Sequence, residues 1–273
     1  MELEQQKADF EKRGVRVATL SYDGQAILQE FASRKKITFP MLSDPQSRVI
    51  RQFGILNETI APDNAFYGIP IPGSYLIDAS GKVVEKYFEP DYRERFSAGT
   101  VLVRQFGETP GEALGRQETN HLTATYSASA PVIRPGQRIS LVVELQLKPK
   151  MHVYTPGVQE PYIPISWKGP DSAGWKSEQV TWPAPRILHL PAIDESVPVY
   201  EGRVRLVRDL LVVQQKELEP LVKNGQVTLE STLRYQACDD RLCYPPQNLT
   251  LRWTLPVEMH DRTRSPEPIR HKF

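Results

Sequence analysis

An α/β region followed by an all-β sandwich is the fold class that the sequence predicts, and three observations carry it. Helix and strand patterns alternate over residues 1–106. From His121 the pattern changes to short β runs broken by proline and glycine. Between them, residues 107–120 (GETPGEALGRQETN) are rich in glycine and glutamate and poor in apolar side chains, which reads as a linker. A length of 273 residues favours two domains over one.

In the first region LEQQKADFEKRG is helical, with Leu3 and Phe10 apolar and Gly14 as its stop. VRVATLSY is β-rich, and DGQAILQEFASRKK predicts a helix capped by Asp23. FPMLSDP is a short strand entering a turn, and QSRVIRQFG is a helix ending at Gly54. GSYLIDASGKVVEKYFE predicts two strands joined through DASGK, and DYRERFSAGTVLVRQFG closes the region as a helix. That alternation argues a layer with a mixed sheet.

In the second region HLTATYSA, RISLVVELQL, MHVYTP, ISWKG, EQVTWP, VYEGRVRLVRDLLVV, QVTLESTLRYQAC and NLTLRWTLPV recur at sandwich-like spacing. QQKELEPLVKNG is a helical or loop insertion among them. The sandwich is expected over residues 121–258, and the polar, proline-containing residues 259–273 read as a disordered tail.

Composition excludes several classes of function. Lys+Arg number 34 against Asp+Glu 33, a net charge of +1, which leaves no electrostatic footprint for nucleic acid or an anionic membrane. No apolar run approaches the roughly 20 residues that span a bilayer. The opening MELEQQKADFEKRG is charged and amphipathic, unlike an export signal, so the start by itself predicts a cytoplasmic chain.

The only two cysteines, Cys238 and Cys243, lie together in YQACDDRLCYPP. A zinc site needs about four ligands, and the histidines nearest in sequence, His189 and His260, are far away, so no metal is expected. A structural disulfide would close a very short ring, worth roughly 2 kcal/mol against nearly 5 for one spanning a hundred residues. A redox-active pair suits a small, openable ring whose backbone is fixed by the adjacent prolines. Arg241 favours a thiolate and Asp239 and Asp240 oppose it, so local charge does not predict a very acidic thiol. Spacing alone leaves the structural and redox roles open.

YQACDDRLCYPP resembles the cysteine segment of the amino-terminal periplasmic domain family of the thiol-disulfide interchange protein DsbD. HLTATYSASAPVIRPGQRISLVVELQLKPKMHVYTPG, VTWPAPR and VPVYEGRVRLVRDLLV also follow that family's pattern, over about residues 121–257. The resemblance implies an immunoglobulin-like sandwich that shuttles electrons. Its disulfide is reduced by a membrane-linked thiol-disulfide reductase, and its dithiol reduces thioredoxin-like acceptor proteins. Carried over by position, Cys238 and Cys243 are the redox pair, Cys243 forming the mixed disulfide. Tyr200 and Val199 then fall at the loop that caps the active site, and Tyr235 and Arg241 flank it. The inter-cysteine loop is one residue shorter than the family's. No metal, flavin or nucleotide is implied, and the implied setting is periplasmic or otherwise extracytoplasmic, in conflict with the start.

ELEQQKADFEKRGVRVATLSYD, FPMLSDPQSRVIRQFGI and GIPIPGSYLIDASGKVV resemble the AhpC/TSA branch of thioredoxin-like proteins, with Pro72 at the position of that fold's cis-proline. In that family a first strand and a cysteine-bearing loop precede the helix that opens this chain. The resemblance therefore implies an incomplete thioredoxin-like domain over residues 1–106, explained by an upstream start or by a degenerate scaffold, the former favoured. With no cysteine before Cys238, this region has no thiolate nucleophile and no peroxidase activity is expected of it.

Other features read as structure. Asn57-Glu-Thr59 and Asn248-Leu-Thr250 fit glycosylation triplets that arise by chance. Trp167, Trp175, Trp182 and Trp253 are spaced as sandwich aromatics, His152 and Tyr154 as packing residues on a strand, and Asp194 and Glu195 as a solvated loop. Two function classes remain: thiol-disulfide exchange, and a non-catalytic interaction module whose cysteines tie a loop.

Overall fold

The computed structural model describes residues 2–190, 194–261, 263 and 265–269. Strands dominate it. The first region contributes helices α1 (Glu2–Gln5), α2 (Lys7–Glu11), α3 (Gln25–Lys35) and α4 (Arg48–Gln52). Its strands are β1 (Thr19–Ser21), β2 (Met41–Ser43), β3 (Gly73–Ile77) and β4 (Val83–Phe88). Strands β1 and β2 pair in parallel across α3, the crossover that parallel pairing requires. Strands β3 and β4 form an antiparallel hairpin whose turn is held by Asp78, which accepts from the Ser80 and Lys82 amides at 2.9 and 3.0 Å. Asp23 does not cap α3. Its carboxylate takes the Ser21 hydroxyl at 2.5 Å, and Gly24 occupies the cap position.

Two further expectations in this region need correction. The last expected helix begins late: residues before Ser97 form a turn and then β5 (Arg95–Phe96), and only Ala98–Phe106 is helical, as α5. The cause is long-range. The Arg95 and Ser97 amides donate to Gly136 and Arg138 carbonyls at 2.9 Å each, and this pairing outweighs local helix propensity. Ser97 then caps α5 by accepting from the Thr100 amide at 2.9 Å, and Gly107 ends it at φ +68°. Pro72 is not a cis-proline, because the cis bonds among the described residues precede Pro161 and Pro170. The Ile71 amide donates to Ile55 at 2.7 Å and Leu56 bridges Pro70, so the segment runs extended and trans into β3.

The second region is built from β6 (Gly115–Glu118), β7 (Leu122–Ala128), β8 (Gln137–Leu147), β9 (His152–Tyr154), β10 (Ser166–Lys168) and β11 (Trp175–Thr181). It continues through β12 (Arg186–Leu190), β13 (Glu195–Glu201), β14 (Arg203–Val212), the short helix α6 (Gln215–Leu218), β15 (Gln226–Tyr235), β16 (Ala237–Cys238) and β17 (Gln247–Pro256). One sheet has the order β11-β14-β8-β7-β6, with β5 joined in parallel to β8. A second has the order β10-β15-β17, and a third β12-β13-β9-β16. The segment read as a linker thus contains β6, whose Gly115 lies so close to the Tyr126 ring that a Cβ would overlap it.

The first two sheets share one core. Leu141, Val143 and Leu145 of β8 and Leu206 of β14 meet Trp167 of β10, Leu233 of β15 and Leu251 and Trp253 of β17, all buried. The period-2 alternation of β7, β15 and β17 follows from this, with one face in the core and the other toward water. Strand β8 departs from it. Its first seven residues are buried throughout, because α5 packs on the face turned away from the core. Ser140 and Ser129 on that face bond to Thr100, Asp209 accepts from Ser140 at 2.6 Å, and Arg104 of α5 pairs with Asp209. Arg138 pairs with Glu89 and Glu178. A polar, buried seam therefore joins residues 89–104 to the main sheet.

Of the expected tail, residues 262, 264 and 270–273 lie outside the described residues. Asp261 pairs with Arg34 at 3.2 Å and Lys35 at 2.5 Å, and Glu267–Ile269 makes a single 3-10 turn.

Candidate functional site

The two cysteines sit on an excursion between sheets. Strands β15 and β17 pair along ten residues, ending at Tyr235 opposite Gln247. The chain then leaves this sheet, lays Ala237 and Cys238 against Val153 and His152 of β9, turns, and returns. Tyr235 fixes the departure point: its hydroxyl is 2.9 Å from Thr119 Oγ1 and donates to Gln247 at 2.6 Å.

Cys238 and Cys243 form a disulfide with Cα atoms 4.0 Å apart. The Tyr244 amide donates to Ala237 at 2.9 Å and the Asp239 amide to Leu242 at 3.0 Å. These bonds flank the cysteines, which are thus the non-hydrogen-bonded pair of a tight hairpin, where side chains come closest. The turn has its own brace. Asp239 Oδ1 accepts from the Arg241 and Leu242 amides at 2.8 and 3.0 Å, and Tyr244 donates its hydroxyl to Oδ2 at 2.9 Å. The Leu242 and Arg241 amides, then the Tyr244 hydroxyl, hold the Asp239 carboxyl below its ordinary range.

The sulfurs are unequally placed. Cys238 is 1% exposed, whereas Cys243 is exposed beside Leu242, itself 52% exposed. Cys238 joins Tyr154, Val197 and Val199 in a small apolar cluster, with Leu188, Leu190, Val158 and Tyr162 around it. Tyr154 Oη lies 3.9 Å from Cys243 Sγ. Burial, then the nearby Glu195 carboxylate, raises the Tyr154 phenol above its usual range, so it keeps its proton and remains a donor. Its ring packs against Tyr162 at 4.6 Å, and Tyr162 donates to Glu195 of β13 at 2.7 Å, a bond that pushes the Tyr162 phenol up to about 12.

The expected site residues divide. Val199 lies in the cluster beside Cys238. Tyr200, its neighbour on β13, points to the opposite face, stacks on Trp182 at 6.3 Å and donates to the Pro183 carbonyl at 3.1 Å, so it does not cap the sulfurs. Strand alternation forces this, since adjacent residues cannot share a face. Tyr235 is buried in the main core, Arg241 is exposed on the turn, and Pro72 lines a separate cavity of about 560 Å³ in the first region. Sequence reasoning did not assign His152, Tyr154, Tyr162 or Glu195 to the site. The one usable signal was HVY, a strand whose alternate residues are both aromatic and polar. Among the described residues no group of three or more His, Cys, Asp or Glu could hold a metal ion, and no helix is long and apolar enough to cross a membrane.

Residues 119–254 match the family described as thiol:disulfide interchange protein DsbD, N-terminal, and residues 1–86 match the AhpC/TSA family. Both resemblances read from the sequence are thereby borne out. Peroxiredoxin Bcp of Escherichia coli K12 is 36% identical over 75 residues, 28% of this chain and 47% of that protein. A putative peroxiredoxin bcp of Buchnera aphidicola subsp. Schizaphis graminum is 32% identical over 80 residues, 29% and 50% of the two. The chain thus spans about half the length of the curated relatives it matches. Among solved structures, the N-terminal periplasmic domain of ScsB from Proteus mirabilis aligns with a TM-score of 0.36 at 15% identity, over 51% of this chain and 49% of that one. The reduced Neisseria meningitidis DsbD N-terminal domain aligns with a TM-score of 0.30 at 15% identity, over 43% and 78%.

Proposed function

We propose that this protein exchanges electrons with protein thiols through the Cys238–Cys243 disulfide. The observation that carries the reading is the unequal exposure of the two sulfurs within a segment that matches a thiol-disulfide interchange family. A partner thiolate reaches the exposed Cys243 Sγ, the ring S–S bond breaks, and its electron pair leaves on Cys238 Sγ. The mixed disulfide is then resolved by a second partner thiolate, which leaves this chain as a dithiol. In the opposite direction Cys243 attacks an acceptor disulfide and Cys238 closes the ring. The partners are thioredoxin-like proteins and a membrane thiol-disulfide reductase, in an extracytoplasmic setting. The reading includes an immunoglobulin-like sandwich over residues 121–258 and a thioredoxin-like region over residues 1–106 that carries no cysteine.

A purely structural disulfide is the competing reading. Against it, the turn is already braced by Asp239 and by the pairing of β16 with β9. So short a ring adds only roughly 2 kcal/mol. The test is trapping. Cys238→Ser should accumulate a stable adduct with thioredoxin-like partners through Cys243, and Cys243→Ser should form none. In a glutathione buffer the wild-type pair should equilibrate at a measurable potential. A pair that stays oxidised below about −300 mV, with no adduct from either variant, would overturn the proposal.

A further inference from the structure

His152 is 4% exposed, and its Nε2 has no hydrogen-bond partner among the described residues. It stands directly opposite Cys238 in the β9–β16 pairing and opposite Glu201 in the β9–β13 pairing. Residues opposite one another in antiparallel strands point to the same face, with Cβ atoms about 4.5–5.5 Å apart. The alternation agrees. Tyr154, on the same face of β9 as His152, shares a cluster with Cys238, whereas Val153 lies in the main core with Ala237. The imidazole also meets the Tyr154 ring edge-on at 5.5 Å. A buried polar atom without a partner is rare enough to require a reason. Here the redox state supplies one. A disulfide sulfur carries no hydrogen, whereas reduction places a Cys238 S–H across from the imidazole.

We propose that His152 is the proton acceptor for Cys238, generating the buried thiolate that closes the ring. The step rests on the exchange reading above. With Cys243 joined to an acceptor through a mixed disulfide, His152 removes the Cys238 proton and becomes imidazolium. The Cys238 thiolate attacks Cys243 Sγ, the Cys238–Cys243 bond forms, and the bond to the acceptor breaks. The acceptor leaves as a thiolate carrying the electron pair, and the imidazolium proton follows it through solvent. In the reverse direction the imidazolium returns the proton to the Cys238 thiolate. Burial lowers the proton affinity of His152, opposed by the carboxylates of Glu201 on β13 and of Asp240 and Asp239 on the turn. The side chain is therefore neutral near pH 7, as an acceptor must be. The charged and titratable groups around it are Glu201, itself paired with Arg186 of β12, Asp240 and Asp239 on the turn, the Tyr154 side chain, and Cys238 opposite.

The test uses the full chain and glutathione. Reduced protein is mixed with oxidised glutathione, quenched with acid at intervals, and the decay of the Cys243–glutathione adduct is followed by mass spectrometry from about pH 5.5 to 9. Wild-type ring closure should rise with imidazole deprotonation and level off near neutrality. His152→Gln should close the ring about 10²-fold more slowly at about pH 6.5, its rate climbing tenfold per pH unit toward the thiol range. An unchanged rate and profile would overturn the proposal. If His152→Gln does not fold, imidazole nitrogen shifts of the wild type are titrated in both redox states. A redox-dependent titration of His152 supports the role, and identical titrations overturn it. Failure of Cys238→Ser to trap protein partners would refute the exchange reading and leave this glutathione result standing.

Discussion

Asp239 and Tyr154 act on different parts of the ring, the one on its turn and the other near the Cys243 sulfur. Because the folded Asp239 pKa lies below its unfolded value, its bonds strengthen the turn at pH above the ordinary carboxylate range, and this contribution is lost as pH falls through the lowered value. Amide hydrogen exchange at Arg241 and Leu242, corrected for intrinsic rates, should therefore accelerate in acid, and Asp239→Ala should show the same acceleration at every pH. Tyr154 places its hydroxyl oxygen 3.9 Å from Cys243 Sγ, and the phenol keeps its hydrogen through neutral pH. In a Cys238→Ser background, Tyr154→Phe should slow alkylation of Cys243 by iodoacetamide at about pH 7 by roughly tenfold, the scale of one charge-assisted hydrogen bond. An unchanged rate would show that the phenol does not support the thiolate. The cysteine pair itself was legible, being the chain's whole complement of sulfur nucleophiles placed in one short segment. Its surroundings were not. His152 and Tyr154 reach the sulfurs through cross-strand register, which is set by contacts far apart in sequence.

Strand β8 shows why single strands were easier to read than their partners. Its apolar run could be recognised as β, but burial on both faces reflects α5, which arrives from a different part of the chain. The same packing shortened the helix expected over residues 91–107 and turned Arg95–Phe96 into a strand. Part of the expected linker likewise became β6, because an open sheet edge outweighed a glycine-rich composition. Gly99 marks the closest approach of α5 to the sheet, where a Cβ would overlap the Ser129 carbonyl oxygen. Gly99→Ala should therefore lower stability by about 1–3 kcal/mol in urea denaturation, as overpacking does. Gly99 is helical and outside the left-handed region, so the loss reports crowding against Ser129 rather than backbone strain. Unchanged stability would show that the contact accommodates a methyl group.

Across the whole molecule, the boundary suggested by composition and the boundary of burial differ. Asp209 is 4% exposed and its guanidinium partner comes from α5, and Arg138 draws its buried carboxylate from Glu89. A fragment of residues 118–260 keeps the core shared by the two larger sheets but leaves Asp209 without Arg104 and Arg138 with Glu178 alone. Extending it to residues 88–260 should restore about 3–5 kcal/mol for the buried Arg138–Glu89 pair, read as unfolding free energy extrapolated to water, with a steeper slope for the added buried surface. Equal extrapolated free energies would mean that the seam adds nothing. Residues 1–110 alone should aggregate, since β1–β2 and β3–β4 are separate two-stranded sheets, too small to be stable by themselves. The change of pattern along the chain was legible because strand periodicity differs visibly from helix–strand alternation. The seam was not, since ion pairs between remote segments leave no local pattern. The long ladder between β15 and β17 has a consequence for inheritance. It closes at Tyr235 and Gln247 before the cysteines begin, and beyond the buried Ala237 and Cys238 the turn of residues 239–242 projects from a frame that is complete without it. Insertions and deletions inside that interval alter the ring while the core keeps its alignment. The loop is a cassette, and lineages can vary its length and its chemistry without rebuilding the protein that carries it.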